Sequence, residues 1–307
     1  MAAMTRPPRR DRFGNSPWLQ DWLNRPAVIV PLQDLPSLWR RTDVHFVCDR
    51  PQGMQSGLWM ARSVRGAFGR ILKRWHEQTR LSGLPASAFE GLFQSHAMLD
   101  GVHIPKPIGF HVCDWDGGVM VRIRLFGNAA MWRDEVIEAM SVALAQGIGL
   151  WENGRILRPW PQRDWWWIEH GARQLQQPSD RAVLAFDTPF KPGGADLFAG
   201  DLLTAIPSLA ARIRGMARWS GVDLPLEIMR LRLAAESLKC EALPPGSYLD
   251  GFVKLRDGGD LAVVGMLGAF RLGQVFEELW ALLTLGEDTG IGGYRAYGFG
   301  NYRLFAA

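Results

Sequence analysis

The sequence predicts an α+β protein made of two halves that share one order of elements. Three observations carry this reading. Segments alternating apolar and polar residues recur at strand length, segments with three-and-four apolar spacing recur at helix length, and both follow the same succession twice. The succession is strand, helix, strand, strand, helix, strand, which is the split βαβ order of ferredoxin-like (RRM-like) domains. Two such halves, divided between residues 160 and 180, account for the 307 residues. We therefore expect an N-terminal extension at 1–42, a first domain at 43–165 and a second at 175–307.

The extension is rich in Pro, Arg and Trp, with a strand-like "AVIV" and a helical turn at "LQDLPSLWRR". From Asp43, "DVHFVCDR" alternates as a half-buried strand does. A helix follows over about 58–78, with Ala61, Val64, Phe68, Ile71, Leu72 and Trp75 on its apolar stripe. "GGVMVRIRLFG" reads as a strand, "WRDEVIEAMSVALAQGIG" as a helix closed by glycine, and "GRILRPWPQ" as a returning extended segment. In the second half "RAVLAFDTPF" is a strand, and "DLLTAIPSLAARIRGMARWSG" is a helix with Pro207 near its first turn. "GDLAVVGML" is a strand, "LGQVFEELWALLTLG" a helix and "YGFGNYRLFA" the last strand. "DWDGG" at Asp114 is read as a turn, and "RDWWWIEH" holds three consecutive tryptophans that cannot all face one core.

Composition narrows the function classes. No apolar run approaches the roughly 20 residues of a membrane span. The N-terminal arginines lack the apolar core of a secretory signal. Cys48, Cys113 and Cys240 are scattered and odd in number, which fits a reducing cytoplasm and no disulfide framework. Neither H-E-x-x-H nor C-x-x-C occurs, so no metal site and no cofactor are expected. Formal net charge is only +4, but five of the 35 basic residues are lysine and thirty are arginine. The planar arginine fork suits phosphate and stacks on bases.

Two segments concentrate that chemistry. The first helix carries Arg62, Arg65, Arg70, Lys73 and Arg74 with no acid until Glu77, whereas a helix stabilised by i,i+4 pairs alternates its signs. The second is "GIGGYRAYGFGNYRL", with five glycines in eleven residues: Gly290, Gly292, Gly293, Gly298 and Gly300. A dinucleotide loop is excluded, because Arg295 stands at the third glycine position and a strand follows instead of a helix. A phosphate loop of the G-x-x-x-x-G-K type lacks its lysine. A hinge needs fewer glycines than five. RNA contact accounts for them better: backbone N–H groups and Arg295 and Arg303 for phosphate, Tyr294 and Tyr297 for stacking.

The segment "TLGEDTGIGGYRAYGFGNYRL" resembles the C-terminal glycine-rich loop of the RAMP superfamily of CRISPR RNA-binding proteins. Within it the chain is similar to the repeat-RNA processing endoribonucleases, the sixth CRISPR-associated (Cas) family. "LWMARSVRGAFGRILKRW", "SAFEGLFQ" with "IPKPIGFHV", "VRIRLFGNA" with "QGIGL", "LAFDTPFKP" and "YLDGFVKLRDGGDLAVV" match that family in order, over about residues 43–305. The resemblance implies metal-independent cleavage of repeat RNA, the 2′-OH attacking the adjacent phosphate to leave a 2′,3′-cyclic phosphate and a 5′-OH. It implies retention on the crRNA hairpin, with other CRISPR effector subunits as partners, and no membrane. By position it implies His76, at the end of the first helix, as the proton-transfer residue, with Arg74, Lys73 and Arg80 as nearby cations. His45 is the second choice, and His96 and His103 the third. Some relatives use arginine or tyrosine in place of histidine, which keeps the arginine-rich helix itself in play. The alternative function is a noncatalytic RAMP subunit that holds guide RNA as a scaffold.

Overall fold

The computed structural model describes residues 21–54, 57, 60–79, 87–94, 97–99, 102–149, 157–173, 178–191, 200–225, 228–254, 260–293, 295 and 298–307. The first half contains β1 (Arg41–Asp49), α1 (Ala61–Thr79), β2 (Ile108–Trp115), β3 (Gly118–Phe126), α2 (Arg133–Gln146) and β4 (Gln162–His170). Its antiparallel sheet runs β2-β3-β1-β4. The second contains β5 (Arg181–Phe186), α3 (Gly200–Ala217), α4 (Ile228–Glu236), β6 (Lys239–Lys254), β7 (Asp260–Gly273), α5 (Glu277–Thr289) and β8 (Tyr302–Ala306). Its antiparallel sheet runs β6-β7-β5-β8. Numbered within each half, both sheets have the order 2-3-1-4, so both halves are ferredoxin-like and the α+β class holds.

Alternation decides which face of the first sheet is covered. Val44, Phe46 and Cys48 on β1, with Val119, Val121, Ile123 and Leu125 on β3, are fully buried. Val64, Phe68, Ile71 and Leu72 of α1 and Val136, Ala139, Met140 and Ala143 of α2 belong to the same core. Each large side chain so removed from water contributes roughly 1.5–3 kcal/mol. Asp116 and Gly117 both take positive φ (38° and 69°), closing the β2–β3 hairpin where "DWDGG" is read as a turn.

Three elements depart from the sequence reading. The fourth strand is Gln162–His170 with the tryptophans, while "GRILRPWPQ" supplies Leu157–Arg158, paired to Ile148–Gly149, and gives that strand only its first residue. A strand at a sheet edge can hold three aromatics because its side chains alternate between faces. Trp166 stacks on His45, whereas Trp165 and Trp167 on the other face stay 42% exposed. Pro207 stands in the interior of α3, well past the first turn, where it withdraws one helical N–H. α4 is an additional helix.

The described part of the extension packs on the second half. Val28–Ile29 pairs in parallel with Val222–Asp223, and Trp22 meets Trp219 edge-on at 5.5 Å. Trp39 is buried, and its indole Nε1 donates to Asp288 of α5 at 3.0 Å. The two halves are joined by a buried ionic cluster. Arg124 of β3 grips Asp43 of β1 through two hydrogen bonds, 2.6 and 2.7 Å, and donates to the Asp288 carbonyl at 3.0 Å. Arg41 also donates to the Asp288 carboxylate, and Arg173 pairs with both Glu287 and Asp288.

Candidate nucleic-acid interface

The other face of the first sheet is polar, and its rows can be read across the strands. His111 on β2 faces Arg122 on β3, which faces His45 on β1, which faces Trp166 on β4. The next row on that face holds Gly109, Arg124, Asp43 and Ile168. Against this face lie the end of α5 and the glycine segment. The Asn301 amide nitrogen donates to the Gly298 carbonyl at 2.8 Å and stands 3.3 Å from Nδ1 of His111. An amide nitrogen only donates, so Nδ1 of His111 accepts and its proton sits on Nε2. Burial, reinforced by Arg122 and Arg124, pushes the His111 pKa down to about 3. Burial also lowers that of His45, whose ring stacks on Trp166 at 5.0 Å and whose Nδ1 is sealed without a partner.

The glycine segment is a folded-back support. Ile291 N–H donates to Gly300 O, Gly300 N–H to Pro189 O, Gly293 N–H to Lys191 O, and Gly298 N–H to Arg295 O. Gly290 N–H closes the last turn of α5 on Gly286. The amide hydrogens of Gly290, Ile291, Gly293, Gly298 and Gly300 are therefore committed within the protein. Gly300 and Gly298 show why glycine is required. Both have positive φ, 73° and 85°. A Cβ on Gly300 would fall inside the Ile291 carbonyl, and one on Gly298 would meet the Ala61 Cβ of α1 at 2.7 Å. That second approach seats the segment on the first turn of α1.

The sequence-predicted residues consequently separate. Arg62 and Arg65 stand at the end of α1 that meets the glycine segment. The Arg65 guanidinium lies over the Phe93 ring at 5.2 Å, and burial, then the Arg65 charge, lowers the neighbouring Lys106 to about 8. Arg70, Lys73 and Arg74 are exposed farther along, with Lys73 paired to Glu77 at 3.6 Å. His76 belongs to the last turns, fifteen residues from Ala61 or about 22 Å at the helical rise. Its Nδ1 is 2.9 Å from Ser87 Oγ, and its ring lies beside Phe89 at 5.5 Å. Arg303 on β8 pairs with Asp187 at 3.1 Å. Tyr294, Tyr297, His96 and Arg80 lie outside the described residues, as does the side chain of His103.

Sequence reasoning did not single out Arg122, Arg124, Asp43, His111 or Asn301 as a group. The alternation in "VRIRLF" and "DVH" puts the arginines, Asp43 and His45 on one face, but only the strand order 2-3-1-4 lays them side by side. An open cleft of about 1020 Å³ lies elsewhere, lined by residues including Arg25, Arg40, Arg41, Glu169 and His170. Among the described residues, no group of three or more His, Cys, Asp or Glu side chains could hold a metal ion, and no helix is long and apolar enough to cross a membrane.

No protein-family model and no curated protein matches the chain. Solved structures do. A Cas6 product complex aligns with TM-score 0.54 at 15% identity, over 88% of this chain and 100% of that one. A second Cas6 product complex aligns with TM-score 0.53 at 16% identity, over 87% and 100%. Thermus thermophilus Cas6 aligns with TM-score 0.50 at 14% identity, over 87% and 99%. Identities this low establish a shared fold alone.

Proposed function

We propose that this chain is a CRISPR repeat-RNA processing endoribonuclease of the Cas6 family. The observation that carries the reading is the junction itself: a glycine-rich segment after the last helix seated on an arginine-bearing helix start, within two tandem ferredoxin-like halves. Neighbours of the same fold include complexes with RNA product and with a substrate mimic. In this reading Arg62, Arg65, Arg70, Lys73, Arg295 and Arg303 hold phosphates, and Tyr294 and Tyr297 stack on bases. The 2′-OH beside the scissile phosphate attacks it, its proton leaves to a base, and the 5′-oxygen departs protonated. His45 or His76 moves the proton, and an arginine such as Arg74 or one at the junction offsets the phosphorane charge. The protein stays on the crRNA hairpin and passes it to other effector subunits.

The test is incubation of the purified protein with its own repeat RNA in EDTA. Cleavage leaving a 2′,3′-cyclic phosphate is expected. Tight binding without cleavage, across several repeats, would replace this reading with the noncatalytic scaffold. One observation favours that second reading: His76 is engaged by Ser87 about 22 Å along α1 from the glycine segment.

A further inference from the structure

Arginine nitrogens sealed from solvent are handled in two ways in this protein. Arg124 has its charge met by Asp43 and Asp288 at every usable nitrogen. Arg212, half-buried on α3 between the buried Leu209 and Ile213, differs: its Nε is sealed from solvent and has no hydrogen-bond partner. Arg295, presented by the glycine segment, is in the same condition at its Nη1. Among the described residues neither is joined to a carboxylate, and the charge acting on Arg212 is the like charge of Arg295. Burial, then that repulsion, pushes the Arg212 pKa well down, and burial brings Arg295 to about 10. Two guanidinium groups that repel each other, each with a sealed and unpartnered nitrogen, are unfavourable in the protein alone, because each desolvated charge lacks the partner that would offset its lost hydration.

We propose that Arg212 and Arg295 form a receptor for one phosphate group of a bound RNA strand, set between α3 and the glycine segment. The inference rests on the RNA reading above and adds to it a residue from a helix that carries no basic run. Paired planar forks match phosphate oxygens bidentately, and a phosphate brings the negative charge that the protein itself withholds here. The backbone that carries the Arg295 side chain is tied by a hydrogen bond, its carbonyl accepting from Gly298 N–H at 2.9 Å.

Arg212→Met separates this role from a structural one, because the two readouts move in opposite directions. Without RNA the variant is expected to melt at or above the wild-type temperature, since an unmet buried charge is gone. Its affinity for repeat RNA in EDTA is expected to fall about 10-fold or more. The slope of log affinity against log salt should flatten by about 0.7, the value of one phosphate contact on a single strand. Arg295→Met, in the loop, should give the same pair of results and serves if the helix variant does not fold. Unchanged affinity and salt slope in both variants would overturn the proposal. Should the wild type bind no RNA, inorganic phosphate against chloride at equal ionic strength decides. A rise in melting temperature with phosphate that is lost in Arg212→Met keeps the anion site and rejects its RNA ligand. No rise rejects both.

Discussion

Gly300 holds the glycine segment in place by having no side chain. Its φ of 73° is unfavourable for other residues, and its Cα faces the Ile291 carbonyl too closely for a Cβ. Gly300→Ala is therefore expected to lose about 2–4 kcal/mol of stability in urea unfolding, from backbone strain plus overpacking. At Gly293, where a Cβ would find ordinary contact at 3.6 Å, the same change should cost far less. The histidines pose a chemical question at the same scale. His45→Ala and His76→Ala, made separately, should differ in cleavage: the one that moves the proton loses about 10²–10⁴-fold while RNA affinity holds. Equal, full cleavage by both would remove histidine at these positions from the mechanism.

At the scale of elements, α1 has two ends with different surroundings. Its start meets the glycine segment at Ala61, and its last turns meet Ser87 and Phe89 through His76. If RNA lies along the junction, Arg62→Ala and Arg65→Ala each weaken RNA binding by about 10-fold, and Arg70→Ala by much less. The reverse ranking, measured by titration at one fixed salt concentration, would move the interface to the far end of the helix. The edge strand β4 makes a separate prediction. The Arg133 guanidinium sits over the exposed Trp167 ring at 4.2 Å, so Trp167→Ala should cost about 1 kcal/mol and leave the fold intact by circular dichroism.

Across the whole molecule, the ionic cluster at the junction couples the halves. Arg124→Leu removes both hydrogen bonds that Arg124 gives the buried Asp43, at an expected cost of about 3–5 kcal/mol by urea unfolding, while Asp288 keeps Trp39, Arg41 and Arg173. The cluster also sets a response to acid. Burial alone raises the Asp43 pKa, but the Arg124 hydrogen bonds and charge outweigh it and hold the carboxyl at about 2. A carboxyl held low in the folded state stabilises folding above its unfolded value, 3.8 here, and that contribution disappears as pH falls through the folded value. Asp43 should thus supply ~2 kcal/mol at neutral pH, lost between pH 4 and pH 2. Asp43→Asn should flatten the stability profile in that window; an unchanged profile would show that other carboxyls set the acid limit.

The sequence by itself determined the fold class, the doubled order of elements and most of their places, because alternation and three-and-four spacing are local consequences of which face is buried. It determined too that five glycines before a terminal strand serve neither a dinucleotide nor a triphosphate. It misjudged "GRILRPWPQ" against the tryptophan strand, since both are short extended segments and only pairing to β1 distinguishes them. What the glycines do was decided by tertiary structure. The amides of Gly293 and Gly300 are bonded to Lys191 and Pro189, contacts that depend on how distant chain segments meet. The same holds for Arg212, unremarkable within α3 until Arg295 arrives from more than eighty residues away. Local pattern records which way a side chain faces; who faces it back is settled only when the two halves close on each other.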